Sequence, residues 1–142
     1  MTDSPAPRAV AYAWRGELTN PEINGLHAAA FEHPVDDGWD WLAQLERYSL
    51  GWVTARDDGG ELIGFVNVVW DGSVHAFMLD TATATAARHR GIGTTLVRMA
   101  AEQARAAGCE WLHVDFDEHL RGFYFEACGF TPTDAGLIRL DD

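Results

Sequence analysis

Hydrophobic and polar positions change period along the chain, and the changes divide it into elements. Residues 9–14, AVAYAW, alternate with the period of two that marks a strand. Asn20 followed by Pro21 reads as a helix start, and Ile23, Leu26, His27 and Ala30 then recur at helical spacing. After the turn-like HPVDDG, the segment WDWLAQLERY carries a second helical pattern. The runs GWVTAR, ELIGFVNVVW and SVHAFMLDTAT are joined through DDGG and DG, tight turns that fold three strands into an antiparallel meander. From Thr94 to Ala107 a helix is expected, with Leu96, Ala100, Gln103, Ala104 and Ala107 on one stripe and Gly108 as its stop. CEWLHVDF reads as a buried strand, residues 118–128 as a helix ended by Gly129, and AGLIRL as a last short strand. Strand, helix and strand across residues 76–116 imply a parallel pair inside a mixed sheet. The expectation is therefore one α/β domain over residues 9–142, a mostly antiparallel sheet flanked by helices, behind a flexible lead-in at residues 1–8.

Composition narrows the partners. The chain has 142 residues, 22 acidic against 10 basic, and a formal charge of -12, which weighs against duplex nucleic acid or an anionic membrane and favours cationic substrates. No apolar run approaches the ~20 residues of a membrane span, and MTDSPAPRAV has no apolar core of a secretory leader, so a cytoplasmic protein is expected. Cys109 and Cys128 lack CxxC spacing and any local His pattern, which predicts free thiols and no metal.

Against this acidity, residues 87–95 read ARHRGIGTT. Arg88, His89 and Arg90 stand at the mouth of a helix, where the dipole already disfavours cations and Asp or Ser is the ordinary cap. They make sense beneath an anionic ligand, and Gly91 and Gly93 let a phosphate approach the backbone. A Walker-type loop needs a lysine, and the chain has none. The dinucleotide fingerprint GxGxxG fails at its third glycine, where Leu96 stands.

What remains, R-x-x-G-x-G at Arg88, Gly91 and Gly93 directly after a long strand, resembles the pyrophosphate loop of the GNAT N-acetyltransferases. LDTATATAARHRGIG resembles that family's strand and loop, and YFEACGF at 124–130 its closing signature. The resemblance runs from about residue 9 to 140. It implies acetyl-CoA as cosubstrate, no metal, a small amine as acceptor and direct acetyl transfer; the acidity of the chain makes a cationic amine the expected acceptor, and a homodimer is compatible with the resemblance. It also implies that the parallel strands, about 74–83 and 111–116, splay apart. Backbone groups of Thr81, Ala82 and Thr83 would then pair with the pantetheine arm, and the N–H groups of Arg88, His89, Arg90, Gly91, Ile92, Gly93 and Thr94 would receive the pyrophosphate.

The catalytic pattern departs from the family. Its acid is usually a Tyr four residues before the closing glycine, a position held here by Phe125, which would therefore face the thiol. Tyr124 is adjacent, but one helical residue turns a side chain by about 100°. Regular helical phase puts Tyr124 on a stripe with Leu120 and Ala127, where core packing is its plain role and its hydroxyl matters little. Glu118, Arg121 and Phe125 share the other face; Glu118 is either a base or an ordinary acid of a helix start. The fourth-strand positions that often carry the family's base are Phe77 and Leu79, and Asp80 lies one residue off that face. The catalytic candidates are thus Glu118, Asp80 and Tyr124. His27, His33, His113 and His119 read as ordinary histidines, while Trp39 and Trp41 could line an amine pocket through cation–π contacts. A non-catalytic acyl-CoA-binding module is the alternative function.

Overall fold

Thr19 opens the first helix with a reciprocal cap: its side chain accepts from the Glu22 N–H while Glu22 accepts from the Thr19 N–H, with Pro21 in the first turn. In the computed structural model, which describes residues 9–141, this helix is α1, Asn20–Phe31. The lead-in assigned to residues 1–8 lies outside the described residues. β1 (Ala11–Trp14) precedes α1, and α2 (Trp41–Tyr48), capped by Asp40, follows it. The meander is β2 (Ser49–Arg56), β3 (Leu62–Trp70) and β4 (His75–Thr83), followed by α3 (Ile92–Ala106) and β5 (Trp111–His113).

The sheet runs β1-β2-β3-β4-β5, antiparallel throughout except for the β4–β5 pair. α3 covers one face over Val53, Val66, Val68, Ala76 and Met78. α1 and α2 cover the other through Ile23, Leu26, Trp41 and Leu45 against Trp52, Phe65 and Ala82. Arg98 and Glu102, 3.9 Å apart, lie on the exposed side of α3, as its spacing predicts. Both cysteines are free thiols and half-buried, and burial pushes each thiol up.

Three expectations change. β5 pairs with β4 only over Trp111–His113, and Trp111 is 64% exposed, so CEWLHVDF is a short edge and not a buried strand. The helix expected over 118–128 is a 3₁₀ turn at Glu118–Leu120 followed by a π-helix at Gly122–Ala127. AGLIRL forms no strand: Leu137, Ile138 and Leu140 are at least 81% exposed, because alternation without a neighbouring edge supplies no ladder.

Glu22 does more than cap α1. Its carboxylate also accepts from both terminal nitrogens of Arg56 at the end of β2, pinning helix to sheet. That hydrogen bond, ahead of the cap contacts, lowers the Glu22 pKa from 4.5 to about 2. The folded value lies below the unfolded one, so the pair stabilises above the ordinary carboxylate pKa and the gain is lost as pH falls toward the folded value. Glu22→Gln should accordingly lower the melting temperature at pH 7 by a few degrees at most, since solvent screens the half-exposed pair. In melts followed by circular dichroism the gap to the parent should close between about pH 4.5 and pH 2; a gap independent of pH would assign the effect to packing instead.

Candidate active site

Below Phe77 the β4–β5 pairing stops, so among the described residues the outer edge of β4 from Met78 to Thr83 has no strand beside it. The parallel pair therefore splays, as expected. The register between β3 and β4 also breaks here: Leu79 pairs with Asn67 and Ala82 with Phe65, leaving Asp80 and Thr81 opposite Val66 alone. This bulge takes Asp80 to φ 60, a left-handed conformation in a non-glycine residue.

The extra residue reverses the parity of the strand. Ala76 and Met78 before it join the α3 core, whereas Ala82 after it joins the α1–α2 core. Strict alternation would send Asp80 toward α3. Instead its carboxylate reaches α1, where Oδ1 lies 3.0 Å from Nε2 of His27. His27 Nδ1 in turn lies 2.7 Å from Nε2 of His33, so two histidines that read as ordinary meet the one acid expected on β4. The sequence signal for this is faint: His27 was in helical phase with Ile23, but nothing at Asp80 announces a positive φ.

Around this contact lies a hollow of about 330 Å³, lined by Asn24, His27, His33, Asp36, Trp39, Trp41, Gln44 and Asp80. Trp39 and Trp41 thus sit where an amine pocket was expected. Their indoles are held in place, with Trp41 donating to Asn24 and Trp39 to Gln44. Asp36 and Asp80 give the hollow negative charge, whereas Asp40 is occupied as the α2 cap and Glu22 by Arg56. A larger hollow of about 410 Å³ on the other flank of α1 carries Glu22 and Glu61 but no histidine.

On the opposite face of the same strand, Thr81 lies near the Tyr124 phenol. Tyr124 is 5% exposed, stacked on Phe116 with centroids 4.6 Å apart. Burial raises its pKa and the nearby Thr81 side chain partly opposes this, so the phenol keeps its proton at neutral pH. Tyr124, and not Phe125, faces β4 because the segment is a π-helix. The Cys128 N–H bonds to the Phe123 carbonyl five residues back, inserting one residue into the turn. Phe125 turns to the edge of Phe116 and lies under the Arg121 guanidinium, 5.0 Å away. Core packing and a placed hydroxyl are both true of Tyr124. Glu118 is exposed in the 3₁₀ turn and joins neither the Asp80 nor the Tyr124 group among the described residues.

The glycine loop has the expected form. Gly91 is the N-cap of α3 at φ 76 and no side chain caps the helix; no acid stands in the first turn. His89, two residues before Gly91, is also left-handed at φ 65. A Cβ on Gly93 would come within 3.1 Å of the Phe123 ring, so glycine lets α3 lie against the π-helix that carries Tyr124. A second histidine pair, His75 Nδ1 and His113 Nε2 at 2.9 Å, stacks against Phe77 where the parallel strands still pair.

The sequence profile of the acetyltransferase (GNAT) family matches residues 20–130. A mycothiol acetyltransferase of Nocardia farcinica is 45% identical over 111 residues, which are 75% of this chain but 37% of that protein. The chain thus spans little more than a third of that relative. Among solved structures, an aminoglycoside N-acetyltransferase in complex with CoA superposes with a TM-score of 0.76 at 17% identity, over 97% of this chain and 98% of its own. A GNAT family N-acetyltransferase of Escherichia coli in complex with CoA gives 0.72 at 19% identity, over 92% and 73%. At these identities the superpositions establish the fold.

Proposed function

The chain belongs to the acetyltransferase (GNAT) family, and from that premise we propose that it transfers acetyl from acetyl-CoA to the amine of a small, cationic acceptor. One observation carries the reading. Asp80 and Thr81, neighbours in one bulge, open onto a negatively charged aromatic hollow on the α1 side and onto the Tyr124 phenol on the α3 side. Acetyl transfer brings an acceptor amine and a departing thiolate to one carbon, and the bulge offers a separate group to each.

The residues fit the cosubstrate. The free edge of β4 at Thr81, Ala82 and Thr83 offers backbone groups to an amide-bearing arm, and Gly91–Thr94 with Arg88, His89 and Arg90 offer a cradle to its phosphates. Acetyl-CoA supplies an activated thioester. Trp39 and Trp41 hold the acceptor cation against their faces, and Asp80 orients its N–H bonds. Tyr124, protonated, donates to the departing sulfur. Oriented proton transfers of this kind contribute roughly 10²–10⁴-fold.

An amine panel with acetyl-CoA, read by mass spectrometry, tests the acceptor. A polyamine, an aminoglycoside or a basic amino-acid derivative should be acetylated before any neutral or acidic compound, and the rate should fall as salt screens Asp36 and Asp80. A neutral substrate with salt-independent rates would overturn the charge argument. Binding of acetyl-CoA without turnover across the panel would favour an acyl-CoA-binding module, a reading that Phe77 and Leu79 support by occupying the strand positions of the family's usual base.

A further inference from the structure

Helix propensity and core packing would both favour an apolar residue at position 24. Asn24 stands inside α1 beside the fully buried Ile23, is itself 4% exposed, and asparagine is among the weaker helix formers. Its amide is engaged by two residues beyond the helix. Oδ1 accepts from the Trp41 indole at 3.0 Å, and Nδ2 donates to the Trp39 carbonyl at 3.1 Å. These partners fix which way the amide points, because an indole N–H only donates and a carbonyl only accepts. A flipped amide would set donor against donor and acceptor against acceptor.

The two bonds hold different walls of the aromatic hollow. Trp41 is buried, with its ring edge-on to Phe65 at 6.0 Å between centroids, so its N–H requires a partner inside the protein. Trp39 is 51% exposed and closes a short turn, its own N–H bonding the Asp36 carbonyl at 3.2 Å. The Trp39 indole is held to Gln44 of α2, and its backbone is held to α1 by Asn24. The turn that carries Asp36 and Trp39 is thereby tied to a helix. A cation over an indole must lie within about 6 Å of the ring centre, so the strength of that contact depends on where the turn is held.

We propose that Asn24 is a positioning residue for the acceptor, holding Trp39 and Trp41 as a pair of walls selective for an organic cation; this rests on the acetyltransferase reading above. The amide acts through the two tryptophans and not on the reacting atoms. Its bond to Trp41 secures the buried wall, and its bond to Trp39 sets the exposed one. Neither bond involves the β4 edge or the glycine loop, so loss of the amide falls on the acceptor and spares acetyl-CoA.

Fluorine spectra of the protein labelled with fluorotryptophan, titrated with spermidine, read the walls without cosubstrate; single Phe substitutions assign Trp39 and Trp41 among the six tryptophans. Spermidine should shift the Trp39 and Trp41 signals and leave that of Trp111 unmoved. Asn24→Leu should weaken spermidine binding about tenfold. In a Trp39→Ala protein, followed at Trp41, the same substitution should change affinity by no more than about twofold, because the wall it positions is gone. Should an orphaned indole N–H keep Asn24→Leu from folding, the double variant with Trp41→Phe, set against Trp41→Phe alone, makes the same comparison without a buried unpaired donor. In turnover, Asn24→Leu should raise the KM for spermidine about tenfold and leave kcat and the KM for acetyl-CoA within about twofold. Additive effects at Asn24 and Trp39, unchanged spermidine affinity, or a Trp39 signal indifferent to spermidine overturns the proposal. A protein that acetylates spermidine with the same KM in parent and variant keeps its function and loses this positioning residue. One that passes the titrations but acetylates no amine loses the acetyltransferase reading and keeps Asn24 as the support of a cation site.

Discussion

Tyr124→Phe should lower kcat about a hundredfold while leaving acetyl-CoA affinity within a factor of about two. The substitution removes one oxygen, and with it the proton supplied to the departing sulfur and the polar contact toward Thr81. The ring stays packed on Phe116 and Phe130, so the fold should lose only about 1 kcal/mol, the worth of one hydrogen bond. Single-turnover rates at saturating acetyl-CoA, beside a thermal melt, separate the two effects. A rate within threefold of the parent would mean that the thiolate leaves unassisted or takes its proton from water. That is the outcome regular helical phase predicts from the sequence.

Gly91→Glu should abolish measurable acetyl-CoA binding by calorimetry. Gly91 begins α3 at φ 76, where a side chain is strained, and a carboxylate there would stand at the N–H groups that the cosubstrate phosphates need. Strain and charge can be told apart. Gly91→Gln, which keeps the size and the left-handed strain of Glu, should retain binding within about tenfold, because only the charge has been withdrawn from the comparison. Undiminished affinity in a folded Gly91→Glu protein would remove the pyrophosphate from this loop.

The parts of the site that local chemistry dictates were legible. Pro21 in a first turn, paired glycines at a helix mouth and tight turns between β-rich runs each state a backbone requirement through residue type, and α1, the glycine-led start of α3 and the meander all formed as read. What stayed hidden depends on register. The bulge at Asp80 and the π-turn at Gly122–Ala127 each insert one residue into a periodic element, and an inserted residue reassigns every side chain beyond it. Periodicity placed Asp80 away from α1 and Tyr124 away from the strand for that one reason. The His27–His33 contact escaped notice because it joins α1 to the segment that follows it, a loop geometry no spacing rule encodes. AGLIRL shows the converse, a good strand pattern with no edge to bind.

The π-turn at Gly122–Ala127 also bears on how this site could change by insertion and deletion. Five positions separate Tyr124 from Gly129, and the widened turn absorbs the fifth. Excising the exposed Glu126 would leave a segment that closes in ordinary α-helical hydrogen bonds with the tyrosine still aimed at Thr81. Adding a residue there would demand a second widening, or else rotate Phe125 onto the strand in place of the phenol. The site is thus buffered against a one-codon loss and exposed to a one-codon gain, an asymmetry of chain length that substitutions at Tyr124 or Phe125 would not reveal.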